Sequence, residues 1–407
     1  ISFDIFSGER TVHYADAVIL CTGGHTRIWK KSSSRKQENT GDGLFLGLKA
    51  GCKLIDMEMV QFHPTGMLFP EEIAGTLVTE AVRGEGGKLF NSLGERFMEK
   101  YDKERMELSS RDKIAIANYK EIIEGRCSPN GGVYLDISHK DKDFIITKIP
   151  KIFRQFIENQ MLDISENPME VAPTAHYSMG GIKVDAQNHK TEVNGLFAAG
   201  EVAGGLHGAN RLGGNSLAEI LVFGKRAGIA ASNYSKSIKN LPRSNKKLIE
   251  YNENIDQLIK KGTELALPLI NELSNLMWEY CGVVKEEEKL VLGLKKIKEI
   301  KERSREIDVR ISDNNFQDLI NTFDLKSSLI SAESTILSAK ERKESRGSHQ
   351  RSDYPSINET NIYNCQVSLK DNCLNVSKIK IKNLNQRFSE IIKNTAKIKD
   401  YKERLLE

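Results

Sequence analysis

Residues 204–219 read Gly204-Gly205-Leu206-His207-Gly208-Ala209-Asn210-Arg211-Leu212-Gly213-Gly214-Asn215-Ser216-Leu217-Ala218-Glu219, with one arginine among small residues just ahead of an amide and a hydroxyl. Glycines let backbone N–H groups come close to a ligand, and a helix opening at Asn215 and Ser216 favours negative charge at its start. A fixed guanidinium beside such donors matches a carboxylate or a phosphate through two parallel hydrogen bonds. Arg211 is therefore a candidate anion clamp. The bland alternative for the passage alone is a Gly-rich turn with a surface arginine.

The elements that must hold this passage are readable in outline. Ala17-Val18-Ile19-Leu20-Cys21 is a short apolar run ending in Thr22-Gly23-Gly24, the pattern of a buried strand feeding a tight turn, and Gly195–Ala199 repeats it before Gly200-Glu201. Ser216–Ala231 has helical spacing, with Leu217, Ile220, Leu221, Gly224 and Gly228 as a small-to-apolar stripe. Ile1–Phe6 and Thr11–Tyr14 flank a turn and form a hairpin pattern. Of 31 glycines, 27 precede residue 236, which separates a loop-rich α/β part from a largely helical one. Residues 236–245 are polar, contain Pro242 and read as a linker. Apolar residues at 290, 291, 294, 297 and 300 predict a helix over Glu286–Glu302 with a solvated charged face. Short strands and a basic helix, Asn383–Leu406, are expected after Pro355.

Bulk properties exclude several classes. A chain of 407 residues supports two or three domains with proper cores. A net charge of +4 with 29% charged residues gives no reason to expect a nucleic-acid ligand. No apolar run reaches membrane-spanning length and no signal peptide precedes the first strand, so any membrane attachment is expected through a partner. The six cysteines contain no C-x-x-C pair, which argues against a zinc or iron–sulfur site and for reduced thiols in a cytoplasmic setting.

Gly195-Leu196-Phe197-Ala198-Ala199-Gly200-Glu201-Val202-Ala203-Gly204-Gly205, running into the Arg211 passage, resembles the flavoprotein subunit of succinate dehydrogenase and fumarate reductase. Further blocks agree in order: Asn39-Thr40-Gly41-Asp42-Gly43, Gln61-Phe62-His63-Pro64-Thr65-Gly66, the stretch from Thr79-Glu80 through Arg83 to Gly87, Ala175-His176-Tyr177-Ser178-Met179-Gly180-Gly181, and Glu344–His349 with Asp353-Tyr354-Pro355. The resemblance covers about residues 15–356. It implies an α/β (α+β) fold: a FAD-binding Rossmann-like domain from 1–65 and 176–240, an inserted capping domain over 66–175, a helical domain over 246–343 and a tail region over 344–407. The dinucleotide fingerprint G-x-G-x-x-G is not found and the chain opens on Ile1. The expectation is a family member carrying part of its flavin site, whether a fragment, a split gene product or a truncated chain.

The resemblance also implies the chemistry, succinate and fumarate interconversion by hydride transfer between substrate carbon and FAD. Arg211, His63, His176 and Thr79 correspond to groups that bind the substrate carboxylates. Arg111 corresponds to the arginine that moves a proton to or from the substrate carbon, with Glu80 and Arg83 as its relay; an ordinary ion-pair network is the bland alternative. Thr22, Gly23, Gly24, Asp42 and Glu201 correspond to FAD contacts, and Asn215, Ser216 and Leu217 set a helix start at the flavin's pyrimidine end. His25 stands where the family usually has a small residue. Implied partners are an iron–sulfur protein and, indirectly, a membrane anchor, with the assembly on the cytoplasmic face of the inner membrane. L-Aspartate oxidase shares several blocks but usually reads Ala-Ser-Asn-Ser where this chain has Gly213-Gly214-Asn215-Ser216. A non-catalytic remnant that only docks to a partner is the third reading.

Overall fold

The computed structural model describes residues 1–238, 245–311, 315–358 and 362–381. The expected basic helix Asn383–Leu406 and most of the expected linker lie outside the described residues.

Strands Val18–Leu20 and Leu196–Ala198 pair in parallel, Val18 opposite Leu196 and Leu20 opposite Ala198. Their carboxyl ends carry Thr22-Gly23-Gly24 and Gly200-Glu201, so the two turns lie side by side where ligands of open parallel sheets bind. The helix Asn215–Ser237 packs on both strands. Its buried residues are Glu219, Ala227 and Ala231. The expected apolar stripe is corrected here: Leu217, Ile220 and Leu221 point outward. The two-stranded sheet covers one side of the helix only, and Leu217, Ile220 and Gly224 border a cavity instead of a core.

A five-stranded sheet runs in the order Ala203–Gly204, Gly181–Lys183, Leu54–Ile55, Tyr363–Lys370 and Cys373–Lys380. The tail region thus supplies two strands to the same body as residues 54–204, with Gln366 opposite Ile55. A separate four-stranded antiparallel sheet has the order Val60–Met67, Met169–Ser178, Val133–Asp136 and Lys88–Phe90. Its core includes Leu89, Leu135, Met169 and Val171, packed under Ile114, Ile145, Ile152 and Phe156 from three helices. The expected domain limits at 65/66 and 175/176 fall inside the two longest strands of this sheet.

Helices Ala266–Tyr280, Glu287–Arg303 and Gln317–Glu341 form the helical region around Leu269, Leu273, Leu290, Ile297, Ile300, Leu329 and Ile336. Of the five spaced apolar positions, Val291 is exposed while 290, 297 and 300 are buried. One buried ion network locks this region to the sheets. Arg342, just past the third helix, donates from Nε to Glu58 Oε1 at 2.5 Å and from Nη1 to Glu344 Oε1 at 2.9 Å. Its Nη2 donates to Asp56 Oδ1 and to the Tyr363 carbonyl, both at 3.1 Å. All three nitrogens of this buried guanidinium are engaged, so its own charge is not left unpaired. Asp56 and Glu58 directly precede the strand that carries His63.

Candidate functional site

The strand Val60–Met67 and its neighbour Met169–Ser178 owe their shape to two prolines. Pro64 and Pro173 lack an N–H, so neither can complete a ladder bond, and the pairing slips there: His63 faces Thr174 while Gly66 faces Ala172. A second irregularity sets Gln61 opposite Tyr177 and Phe62 opposite Ala175, which leaves His176 as the extra, bulged residue. The bulges bring the His63 and His176 rings together edge-on, with centroids 5.5 Å apart. His63 Nδ1 lies within reach of the Thr65 backbone N–H, at 3.3 Å, and His176 Nδ1 lies 2.9 Å from Ser33 Oγ.

Both imidazoles are held neutral. Burial, followed by the charges of Arg211 and Arg111, depresses His176 to about 3. Burial, then His176, Arg111 and Arg83, drive His63 well below its ordinary range. Uncharged donors next to arginines suit a bound anion without adding a further buried cation.

Arg211 enters from the Gly-rich passage and is buried at 4% exposure. Its Nη2 donates to Gln61 Oε1 at 3.1 Å and its Nη1 to Ser216 Oγ at 3.3 Å, while Nε has no partner. Gln61 Nε2 donates in turn to the Arg211 carbonyl at 2.7 Å and to Asn210 Oδ1 at 2.8 Å; Asn210 Nδ2 donates to Asp112 Oδ1 at 3.1 Å. Gln61 and Asn210, which carried no assigned role, therefore stitch the Arg211 passage to the strand Val60–Met67 and to the helix of Arg111. Both stood inside the motif blocks, the one signal that could have found them.

Arg111 is the first residue of the helix Arg111–Ile123. A cation at the positive end of a helix is disfavoured unless paired, and Glu80 supplies the pair: Arg111 Nε and Nη2 reach Glu80 Oε2 at 2.8 and 2.7 Å. Arg111 Nη2 also lies 3.2 Å from where a Cβ on Gly213 would stand, so a side chain there would push the guanidinium back by a few tenths of an ångström. Arg83 is buried, donates from Nη1 to the Glu107 carbonyl at 2.7 Å and keeps Nε and Nη2 without partners. Burial lowers it to about 10, with Glu80 opposing that and Arg111 adding to it. Arg111, Arg211, His63 and His176 thus converge. Thr79 stays exposed, its hydroxyl accepting the Ala81 N–H at 3.4 Å.

Beside this cluster lies a cavity of about 390 Å³ lined by Gly23, Tyr177, Gly200, Glu201, Ser216 and Leu217 among others. Gly23 and Gly200 have φ of 75° and 78°, which side-chain-bearing residues rarely adopt. A Cβ on Gly24 would stand 2.5 Å from Glu201 Oε1 and 2.7 Å from Ser178 Oγ, so glycine keeps that carboxylate seated. Glu201 accepts the Ser178 N–H at 2.9 Å, and burial raises its pKa to about 7. The Thr22 hydroxyl is buried without a partner. The Asn215–Ser237 helix starts behind Gly214 (φ 82°) with no side-chain cap. A carboxyl, an unpartnered hydroxyl, glycine turns and an uncapped helix start fit a polyhydroxylated ligand with an anionic ring edge. Asp42 is set apart from this lining, exposed at the first position of the helix Asp42–Ala50. His25 is buried, its Nδ1 2.9 Å from Ser178 Oγ and its Nε2 3.1 Å from Thr335 Oγ1.

Residues 4–217 match the family model described as FAD binding domain, and residues 270–399 match fumarate reductase flavoprotein C-term. The chain is 45% identical over 353 residues to a chain of the fumarate reductase (CoM/CoB) of Methanothermobacter marburgensis, covering 86% of this chain and 63% of that protein. It is 36% identical over 369 residues to the 8-methylmenaquinol:fumarate reductase flavoprotein subunit of Wolinella succinogenes, covering 88% of this chain and 59% of the relative. A solved quinol-fumarate reductase with menaquinol molecules superposes with a TM-score of 0.85 at 34% identity, over 91% of this chain and 67% of that one. The chain therefore spans less than two thirds of the length of those two sequence relatives.

Proposed function

Because this chain belongs to the FAD-dependent flavoprotein family of fumarate reductases and succinate dehydrogenases, we propose that it interconverts succinate and fumarate. The observation that carries this reading is the convergence of Arg111, Arg211, His63 and His176 beside the Glu201 cavity. FAD, when bound in that cavity, supplies the hydride donor and acceptor. The groups that would hold it are Thr22, Gly23, Gly24 and Glu201, with Asn215, Ser216 and Leu217 at the helix start; Asp42, expected among them, stands apart.

Arg211 holds one substrate carboxylate through its planar fork, using the Nε that no protein group engages. His63, His176 and Thr79 donate to the carboxylates as neutral groups, so each hydrogen bond forms without a competing proton equilibrium near pH 7. Arg111 gives its proton to the substrate carbon in fumarate reduction and takes it in succinate oxidation. Glu80, bonded to two Arg111 nitrogens, receives the proton that Arg83 passes on and restores Arg111. Guanidinium rarely acts as an acid in water; in the relay, burial weakens the hold of Arg83 on its proton.

We further infer that the chain works within a complex, handing electrons to an iron–sulfur protein and meeting a membrane anchor through partners on the cytoplasmic face of the inner membrane. No helix among the described residues is long and apolar enough to cross a membrane. The test is turnover by the FAD-loaded protein: fumarate with a reduced viologen, succinate with an artificial dye, and L-aspartate in parallel. Activity on succinate or fumarate with none on aspartate is expected. Turnover of aspartate alone, or of none of the three, refutes the reading.

A further inference from the structure

Arg211 makes no ion pair among the described residues, although it is buried. A buried guanidinium without compensating negative charge is costly, and a carboxylate bonded directly to its fork would block the substrate. A third arrangement is present. The guanidinium lies over the face of Tyr177, its central carbon 4.2 Å from the ring centroid. The Tyr177 hydroxyl donates to Glu219 Oε2, and His207 Nε2 reaches the same oxygen at 2.8 Å. His207 also packs edge-on to Tyr177, centroids 5.6 Å apart. Glu219 is 3% exposed on a helix turn whose neighbours Leu217 and Ile220 are exposed.

We propose that Glu219 is an insulated counter-charge and positioning residue for Arg211, acting through Tyr177; this rests on the reading of Arg211 as the carboxylate clamp. A phenol donating to a carboxylate carries more electron density in its ring, which strengthens the attraction for a cation on its face. The ring also fixes the plane of the fork. Negative charge thereby reaches Arg211 from behind while the donors that face the substrate stay open. His207 holds Glu219 to the oxygen that Tyr177 uses. The same helix turn sets Ser216 against Arg211 Nη1, so one element holds both the clamp and its counter-charge.

The test is binding of malonate, an unreactive dicarboxylate, to the FAD-loaded protein, followed by the flavin absorbance change, together with steady-state kinetics. Glu219→Gln is expected to weaken malonate about tenfold and raise KM for fumarate similarly, with kcat within about threefold, the pattern of lost uniform binding. Tyr177→Phe keeps the ring and loses the link to Glu219; an intermediate loss, about threefold, is expected. Tyr177→Leu is expected to lose at least as much as Glu219→Gln. A structural pin alone would lower the melting temperature and leave affinity per folded site unchanged. Malonate affinity within twofold of the parent in Glu219→Gln overturns the proposal, and if that variant does not fold, unchanged affinity in Tyr177→Phe does so. A parent that binds no dicarboxylate overturns the functional reading beneath it.

Discussion

Glu201 offers a test on the protein stripped of flavin. Burial holds its carboxyl at about 7 against an ordinary 4.5, with the Ser178 N–H and Arg211 pulling the other way. The fold therefore accommodates the protonated form best. Its contribution is complete below pH 4.5 and is lost as pH climbs through 7. A displacement of this size corresponds to about 3 kcal/mol once the group is ionised. Glu201→Gln keeps the shape and the acceptor for Ser178 while remaining neutral at every pH. Urea unfolding of parent and variant, from pH 5 to pH 8, should give curves that separate with rising pH, the variant becoming more stable by about 3 kcal/mol at the alkaline end. Other titrating groups, Asp56 among them, cancel in the difference. A gap that stays constant within about 1 kcal/mol across the range would show that burial does not govern this carboxyl.

Three further outcomes are expected. Arg111→Lys should abolish turnover while leaving malonate binding within a few-fold, because a lysine keeps the charge but not the paired geometry with Glu80; equal loss of both would remove its proton role. Arg211→Ala should weaken malonate by about 3–5 kcal/mol, the scale for losing charged hydrogen bonds in a buried site, and unchanged affinity in the titration would dismiss it as the clamp. Arg342→Leu leaves Asp56, Glu58 and Glu344 without their shared cation and should cost about 3–5 kcal/mol in urea unfolding; a loss below about 1 kcal/mol would mean the network does not lock the helical region.

Much of the site was legible because its residues stand in short blocks whose local chemistry is self-contained. A strand, then Thr-Gly-Gly; a strand, then Gly-Glu; an arginine four residues ahead of a helix start: each is a local pattern, and each is present as an element, although Val18 and Ile19 of the first strand, expected to be buried, are exposed. The helical spacing over 286–302 likewise appears as the helix Glu287–Arg303. Less was legible where a face is chosen by a neighbour. The stripe Leu217, Ile220, Leu221 has the right period for burial, yet period says only that residues share a side, and the partner sheet covers a different side.

What the sequence alone determined, then, is which residue types occur in which local turns, and hence which of them are candidates for an anion clamp and, through the family resemblance, for flavin contacts. Tertiary structure decided which of them meet. His63 and His176 are 113 positions apart and become neighbours because two prolines and a bulge break one ladder in register. Gln61, Tyr177 and Glu219 acquire their relation to Arg211 only when two neighbouring strands, Val60–Met67 and Met169–Ser178, and a helix start are packed against the same passage. The reason is range: turn and cap chemistry acts over a few bonds and is written in consecutive residues, whereas burial, charge compensation and pKa depend on atoms brought within a few ångströms by the whole fold.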